Sequence, residues 1–245
     1  MSNLLSNLQG LTNVGNINYF INMNKFSPAE ESRESYYHVY NRGVEKRSIF
    51  IDDNDRWRFL TLLIALQGDV VCPHIDRIIH DVKHRRFDSS LFQKISAHRN
   101  IELTCFCLMY NHFHLILGEK REGGISKFMQ RLSDAYTKYF NTRHHRVGHL
   151  FGGKFQSIYI NDDAYLKYLS AYIHLNPREL KQWRKKEINY PWSSFQDYVS
   201  ENRWKPFLNP DILLNDFDSR EYRNFVLDTP IREKLEDKYL IDSSY

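Results

Sequence analysis

The sequence predicts an α+β fold on three observations: two apolar, β-rich runs that meet as a hairpin in mid-chain, helical patterns that alternate irregularly with strands, and no Gly-rich phosphate loop. Together they favour a sandwich of helices on an antiparallel sheet over a doubly wound parallel sheet. With 245 residues, 42% hydrophobic and 15% aromatic, the chain is long enough for one substantial core and a small appendage.

Residues 1–34 are rich in asparagine (Asn3, Asn7, Asn13, Asn16, Asn18, Asn22, Asn24) and show no sustained periodicity, which predicts a poorly ordered extension. From Tyr36 the run Tyr-Tyr-His-Val-Tyr, ended by Asn41-Arg42-Gly43, predicts a strand entering a turn. Residues 53–67 carry Trp57, Leu60 and Ile64 at helical spacing, with Asp53 or Asn54 as cap and Gly68 as the end. Over 69–100 the pattern is mixed, with one helix expected at 91–98. The hairpin follows, 101–109 and 112–118, joined through Tyr110-Asn111. Gly123-Gly124 breaks the chain before 126–143, where Phe128, Met129, Leu132, Tyr136, Tyr139 and Phe140 form one stripe and Lys127, Arg131 and Lys138 another. A strand at 155–160 and a helix capped by Asp162 or Asp163 and stopped at Pro177 come next; short helical patches fill the tail from Tyr190.

The net charge is +4, grouped locally in Lys83-His84-Arg85-Arg86, Arg143-His144-His145-Arg146 and Arg184-Lys185-Lys186, which suits a polyanion or a solvated face. No apolar run nears the roughly 18 residues of a membrane span, and nothing in the first 24 residues reads as a secretory signal. Cys72, Cys105 and Cys107 are too few for a disulfide scaffold. A cytoplasmic location and no membrane partner are expected.

Chemistry concentrates at His112-Phe113-His114, because residues two apart on a strand share a face; both imidazoles then reach one ion, while Phe113, Leu115 and Leu117 take the other side. Two ordinary histidines satisfied by hydrogen bonds give the same pattern. On the helix at 162–176, Tyr165, Leu169, Tyr172, Ile173 and Asn176 share one face, so a metal with its phosphate, or a core aromatic and a plain helix end, would account for Tyr172 and Asn176. Tyr168 lies one turn before Tyr172, and spacing does not choose between them. In one hairpin register Cys105, Cys107, His112 and His114 would form a structural zinc site; in the adjacent register the cysteines face away. A histidine-triad nucleotide hydrolase would need a third histidine where Ile116 stands.

Read together, Cys107-Leu108-Met109-Tyr110-Asn111-His112-Phe113-His114-Leu115 resembles the HUH motif of single-tyrosine transposases, in particular the REP-associated tyrosine transposases, an insertion-sequence transposase-like group. Tyr172-Ile173-His174-Leu175-Asn176-Pro177 resembles their tyrosine helix, and Pro191-Trp192-Ser193-Ser194-Phe195 the segment after it. The similarity runs over roughly residues 36–226, from the Tyr-His-Val-Tyr-Asn-Arg-Gly opening through Tyr139-Phe140-Asn141; Phe151, Lys154 and Tyr110 stand where Trp, Arg and Pro are frequent.

The resemblance implies a ferredoxin-like antiparallel sheet flanked by helices. It places a nuclease domain at 35–200 between the extension 1–34 and a small helical C-terminal extension, 201–245. It also implies His112 and His114 as ligands of Mg²⁺ or Mn²⁺, Asn176 as the third ligand and Tyr172 as nucleophile. The expected activity is cutting and joining of single-stranded DNA at hairpin or palindromic repeats through a 5′-phosphotyrosine link. The alternative is a catalytically inactive, sequence-specific DNA-binding protein of the same fold. For a single strand, aromatic stacking and basic side chains are needed, with Arg42, Lys127, Arg131, Lys138 and Lys154 as candidates, in a monomer or homodimer.

Overall fold

The computed structural model describes residues 35–230, so the expected extension over 1–34 and the last part of 201–245 lie outside the described residues. Strand β1 is Ser35–Arg42, helix α1 Asp53–Ala65, α2 Ile75–Lys83, α3 Ser90–Ala97, and strands β2 and β3 are Ile101–Leu108 and His112–Glu119. They are followed by α4, Gly124–Arg143, β4, Gln156–Ile160, α5, Asp163–Leu175, and three shorter helices, α6 (Phe195–Val199), α7 (Asp211–Leu214) and α8 (Ser219–Asp228).

The strands form one sheet in the order β2-β3-β1-β4, with every neighbouring pair antiparallel. That order, with helices between β1 and β2 and between β3 and β4, is the ferredoxin-like arrangement. All of β2 and all but the last residue of β3 are buried, so both sheet faces are covered. On one face Phe59 of α1 packs its ring 4.9 Å from Phe113 of β3; on the other, Cys105 Sγ of β2 lies 3.2 Å from His174 Nε2 of α5.

Local sequence explains most boundaries. The α4 stripe buries Phe128, Met129, Leu132, Tyr136 and Phe140, and Tyr139 packs against it. The helix starts at Gly124, two residues before the expected 126, because a Cβ there would sit 2.6 Å from the Asn100 carbonyl oxygen; only glycine lets the helix begin so close to that backbone. The cap of α1 is Asp52 rather than Asp53 or Asn54: its carboxylate accepts from Asn54 N and Asp55 N. Asp162 caps α5 in the same way through Ala164 N. Helix α2 was not expected; it buries only Ile78 and Val82, too thin a stripe to stand out in sequence.

Beyond residue 200 the chain packs back on α5. Tyr222 OH lies 2.8 Å from Ser170 Oγ and 2.9 Å from His174 Nδ1. Ser170 gives its proton to the Lys167 carbonyl, so Tyr222 must donate to Ser170 and accept from His174 Nδ1–H. His174 Nε2 then accepts from Ser194 Oγ at 2.8 Å, and the imidazole is held neutral. Among the described residues no helix is long and apolar enough to cross a membrane.

Burial lowers the His174 pKa from 6.5 to about 3, so the unfolded chain takes up a proton that the folded chain refuses. Stability from this group is complete above about pH 6.5 and falls as pH drops towards 3, a loss of about 2 kcal/mol between pH 7 and 5. Urea denaturation at the two pH values should show this loss, and His174→Gln, though less stable, should show a correspondingly smaller pH dependence. An unchanged pH dependence in the variant would count against the assignment.

Candidate functional site

Strand alternation delivers two histidines to the α5 face of β3. In the register, His112 lies opposite Arg42 of β1, and His114 lies between Tyr40 of β1 and Cys107 of β2. His112 is 2% exposed and His114 is fully buried, with ring centroids 5.1 Å apart. Burial first, then the neighbouring His112, His38 and Arg42, pushes the His114 pKa well below its usual value, so this ring is neutral. Its Nδ1 lies 2.9 Å from His38 Nε2, and its Nε2 is buried with no hydrogen-bond partner.

The protonation of His112 can be read from two amides. Asn111 Nδ2 donates to the Lys46 carbonyl at 3.1 Å, which turns Asn111 Oδ1 to His112 Nδ1, 2.7 Å away. An amide oxygen only accepts, so Nδ1 carries the proton. That leaves Nε2 as the ring nitrogen turned to helix α5. Facing it at 3.3 Å is Asn176 Oδ1, whose own amide is turned by donation from Nδ2 to the Tyr172 carbonyl at 2.9 Å. With both ring nitrogens protonated this contact is a hydrogen bond from Nε2, and with Nδ1 alone protonated it is a pair of donors open to a cation. The spacing is close to that of two adjacent donors each about 2.1 Å from one ion. Two neutral imidazole nitrogens and an amide oxygen make a chemically suitable donor set for a divalent ion.

Helix α5 brings the phenol. The Tyr172 ring stands edge-on to His114, centroids 5.3 Å apart at 81°, whereas Tyr168 packs on Phe225 of α8, 5.6 Å between centroids. Sequence spacing left these two tyrosines equivalent; the fold separates them. Asn176 is in helical conformation, 4% exposed, at the point where α5 passes into a 3₁₀ turn, Asn176–Glu179.

The hairpin register puts both Cys105 and Cys107 on the histidine face, through a bulge between Leu103 and Cys105. No S₂N₂ zinc site follows from it. Cys105 is engaged with His174 and Ser194, burial raises both thiol pKa values, and among the described residues no three His, Cys, Asp or Glu side chains group as metal ligands.

The five basic candidates fall into two groups. Arg42 and Lys154 line a cavity of about 500 Å³ with Asn41, Lys46 and Gly153, and Lys138 and Lys154 line a neighbouring one of about 620 Å³ with Thr137 and His149. Lys127 and Arg131 sit elsewhere, paired with Asp69 at 2.8 and 3.4 Å. Lys127 and Lys138 are eleven residues apart on α4, about 16 Å along its axis. Arg131 also donates to the Gly68 carbonyl at 2.9 Å, beyond the end of α1.

Two residues at the site were not singled out from sequence, His38 and Asn111. A signal existed for His38: it shares strand alternation with Tyr40 and Arg42. Asn111 reads as an ordinary turn residue until the Lys46 carbonyl is seen beside it.

Comparison with known proteins gives three findings. Residues 70–176 match the family model described as "Transposase IS200 like". A solved structure of a REP-associated tyrosine transposase bound to a REP hairpin is similar over 73% of this chain and 87% of that one, at 14% identity and a TM-score of 0.42. No curated protein matches the chain.

Because Arg131 holds backbone carbonyl groups, Arg131→Ala should lower stability by about 1 kcal/mol. Lys138→Ala and Lys154→Ala should change it by less than about 0.5 kcal/mol. Equal urea midpoints for all three would contradict this division.

Proposed function

We propose that this chain, whose residues 70–176 match the family model described as "Transposase IS200 like", is a divalent-metal-dependent endonuclease and strand transferase acting on single-stranded or hairpin DNA, with Tyr172 as nucleophile. The observation that carries the reading is the unpartnered, buried Nε2 of His114, beside the contact of His112 Nε2 with Asn176 Oδ1 at 3.3 Å and the edge of the Tyr172 ring.

His112, His114 and Asn176 would hold the ion, Mg²⁺ or Mn²⁺. When bound, it supplies positive charge that polarises the scissile phosphate and offsets charge in the transition state. The rest is the work of the chain. Tyr172 Oη attacks phosphorus, the bond from phosphorus to the 3′ oxygen breaks, the phenolic proton passes to solvent, and the 3′ oxygen takes a proton from solvent and leaves as a hydroxyl. The product is a 5′-phosphotyrosine link, which the hydroxyl of another strand end reverses, so that cutting and joining are one chemistry. A rigid duplex shields its phosphates from in-line attack, hence the single-stranded substrate. Arg42, Lys138 and Lys154 along two adjoining cavities suit a DNA backbone. Lys127 and Arg131, tied to Asp69, form a second, more distant basic group available to a longer substrate.

Incubating the protein with labelled hairpin DNA and Mn²⁺ or Mg²⁺ should give a denaturation-resistant adduct. Tyr172→Phe should abolish it while leaving hairpin affinity within about twofold. Adducts that persist in that variant move the nucleophile elsewhere, and hairpin binding by the unaltered protein with no adduct under either metal favours a non-cutting DNA-binding protein.

A further inference from the structure

His38 lies outside the proposed ligand set, yet it is fully buried and stacks on His114, with centroids 5.2 Å apart and planes within 16°. Its Nε2 is 2.9 Å from His114 Nδ1, and its own Nδ1 is buried with no hydrogen-bond partner. Two neutral imidazoles in this contact share one proton, and there are two ways to place it.

In the first, His38 Nε2 donates to His114 Nδ1. His114 then carries its own proton on Nε2, which aims an N–H into the site and bars that nitrogen from ligating a cation. In the second, His114 Nδ1–H donates to His38 Nε2, the proton of His38 sits on Nδ1, and His114 Nε2 presents a lone pair. Each arrangement buries one unsatisfied N–H and one unsatisfied lone pair, so the protein alone favours neither strongly. A cation at His114 Nε2 satisfies the lone pair of the second arrangement and nothing in the first.

We infer that His38 is a positioning residue that accepts the Nδ1–H of His114 and so fixes both the ring orientation and the tautomer in which His114 Nε2 can hold a metal ion. The inference rests on the metal reading proposed above. A histidine ligand commonly donates its second N–H to a partner that orients it, and loss of such a partner typically weakens metal binding 10–100-fold. Here the partner is a neutral ring rather than a carboxylate, so it orients His114 without adding negative charge near the ion. His112 is held in the same sense by Asn111 Oδ1. Both histidines would thus be set by neutral acceptors.

Two measurements on the full chain test this. Long-range ¹H–¹⁵N correlations of the histidine rings with saturating Mg²⁺ should show His114 protonated at Nδ1 and bare at Nε2; a proton on Nε2 overturns the inference without any variant having to fold. Mn²⁺ affinity, followed by the electron paramagnetic resonance signal of the unbound ion, should fall about 10–100-fold in His38→Phe, which fills the space without an acceptor. In His38→Gln, whose amide oxygen restores one, it should recover to within a few fold. Circular dichroism establishes that each variant is folded. Equal Mn²⁺ affinity in folded His38→Phe and unaltered protein overturns this inference and leaves the metal reading standing. An unaltered protein that takes up no Mn²⁺ overturns both.

Discussion

The site depends on two side-chain amides, each oriented by donation to a backbone carbonyl. In these orientations Asn111 turns its oxygen to His112 Nδ1 and Asn176 turns its oxygen to Nε2. The Lys46 carbonyl holds one amide and the Tyr172 carbonyl the other, so a ring nitrogen and an amide oxygen, both atom types that ligate cations, meet across 3.3 Å in a buried setting. Buried polar atoms are nearly always paired, and the unpartnered Nε2 of His114 beside this contact is one that a divalent ion would satisfy.

The fold exists, on this account, to bring distant segments to that point. His38 comes from β1, the Lys46 carbonyl from the turn after it, His112 and His114 from β3, and Tyr172 and Asn176 from α5. Antiparallel pairing of β1 with β3 sets the histidines against each other, and the hydrogen-bonded chain through His174, Tyr222 and Ser170 fixes α5 to the C-terminal helices. Tyr172 is therefore positioned by the same helix turn that ends in Asn176: the helix that carries the proposed nucleophile also carries a proposed ligand.

Much of this was legible in the sequence, for reasons that are local. Alternation in β3 put His112 and His114 on one face, the 3.6-residue period grouped Tyr172 with Asn176, and the α4 stripe was plain. What escaped depends on pairing between remote residues. That His38 meets His114 follows from β1 lying beside β3, seventy-six residues apart in sequence at that contact. That Arg131 and Lys127 answer to Asp69 follows from how α4 crosses the end of α1. The thin apolar stripe of α2 and the cap of α1 at Asp52 were missed because short signals compete with equally good neighbours.

The proposed activity requires that His112 Nε2, His114 Nε2 and Asn176 Oδ1 share one cation. Crystals of the protein grown with Mn²⁺ and measured for anomalous scattering test it directly. A single strong peak about 2.1 Å from all three atoms is the predicted result. Density showing the Asn176 amide nitrogen, rather than its oxygen, turned to His112, with no anomalous peak between them at saturating Mn²⁺, would contradict it.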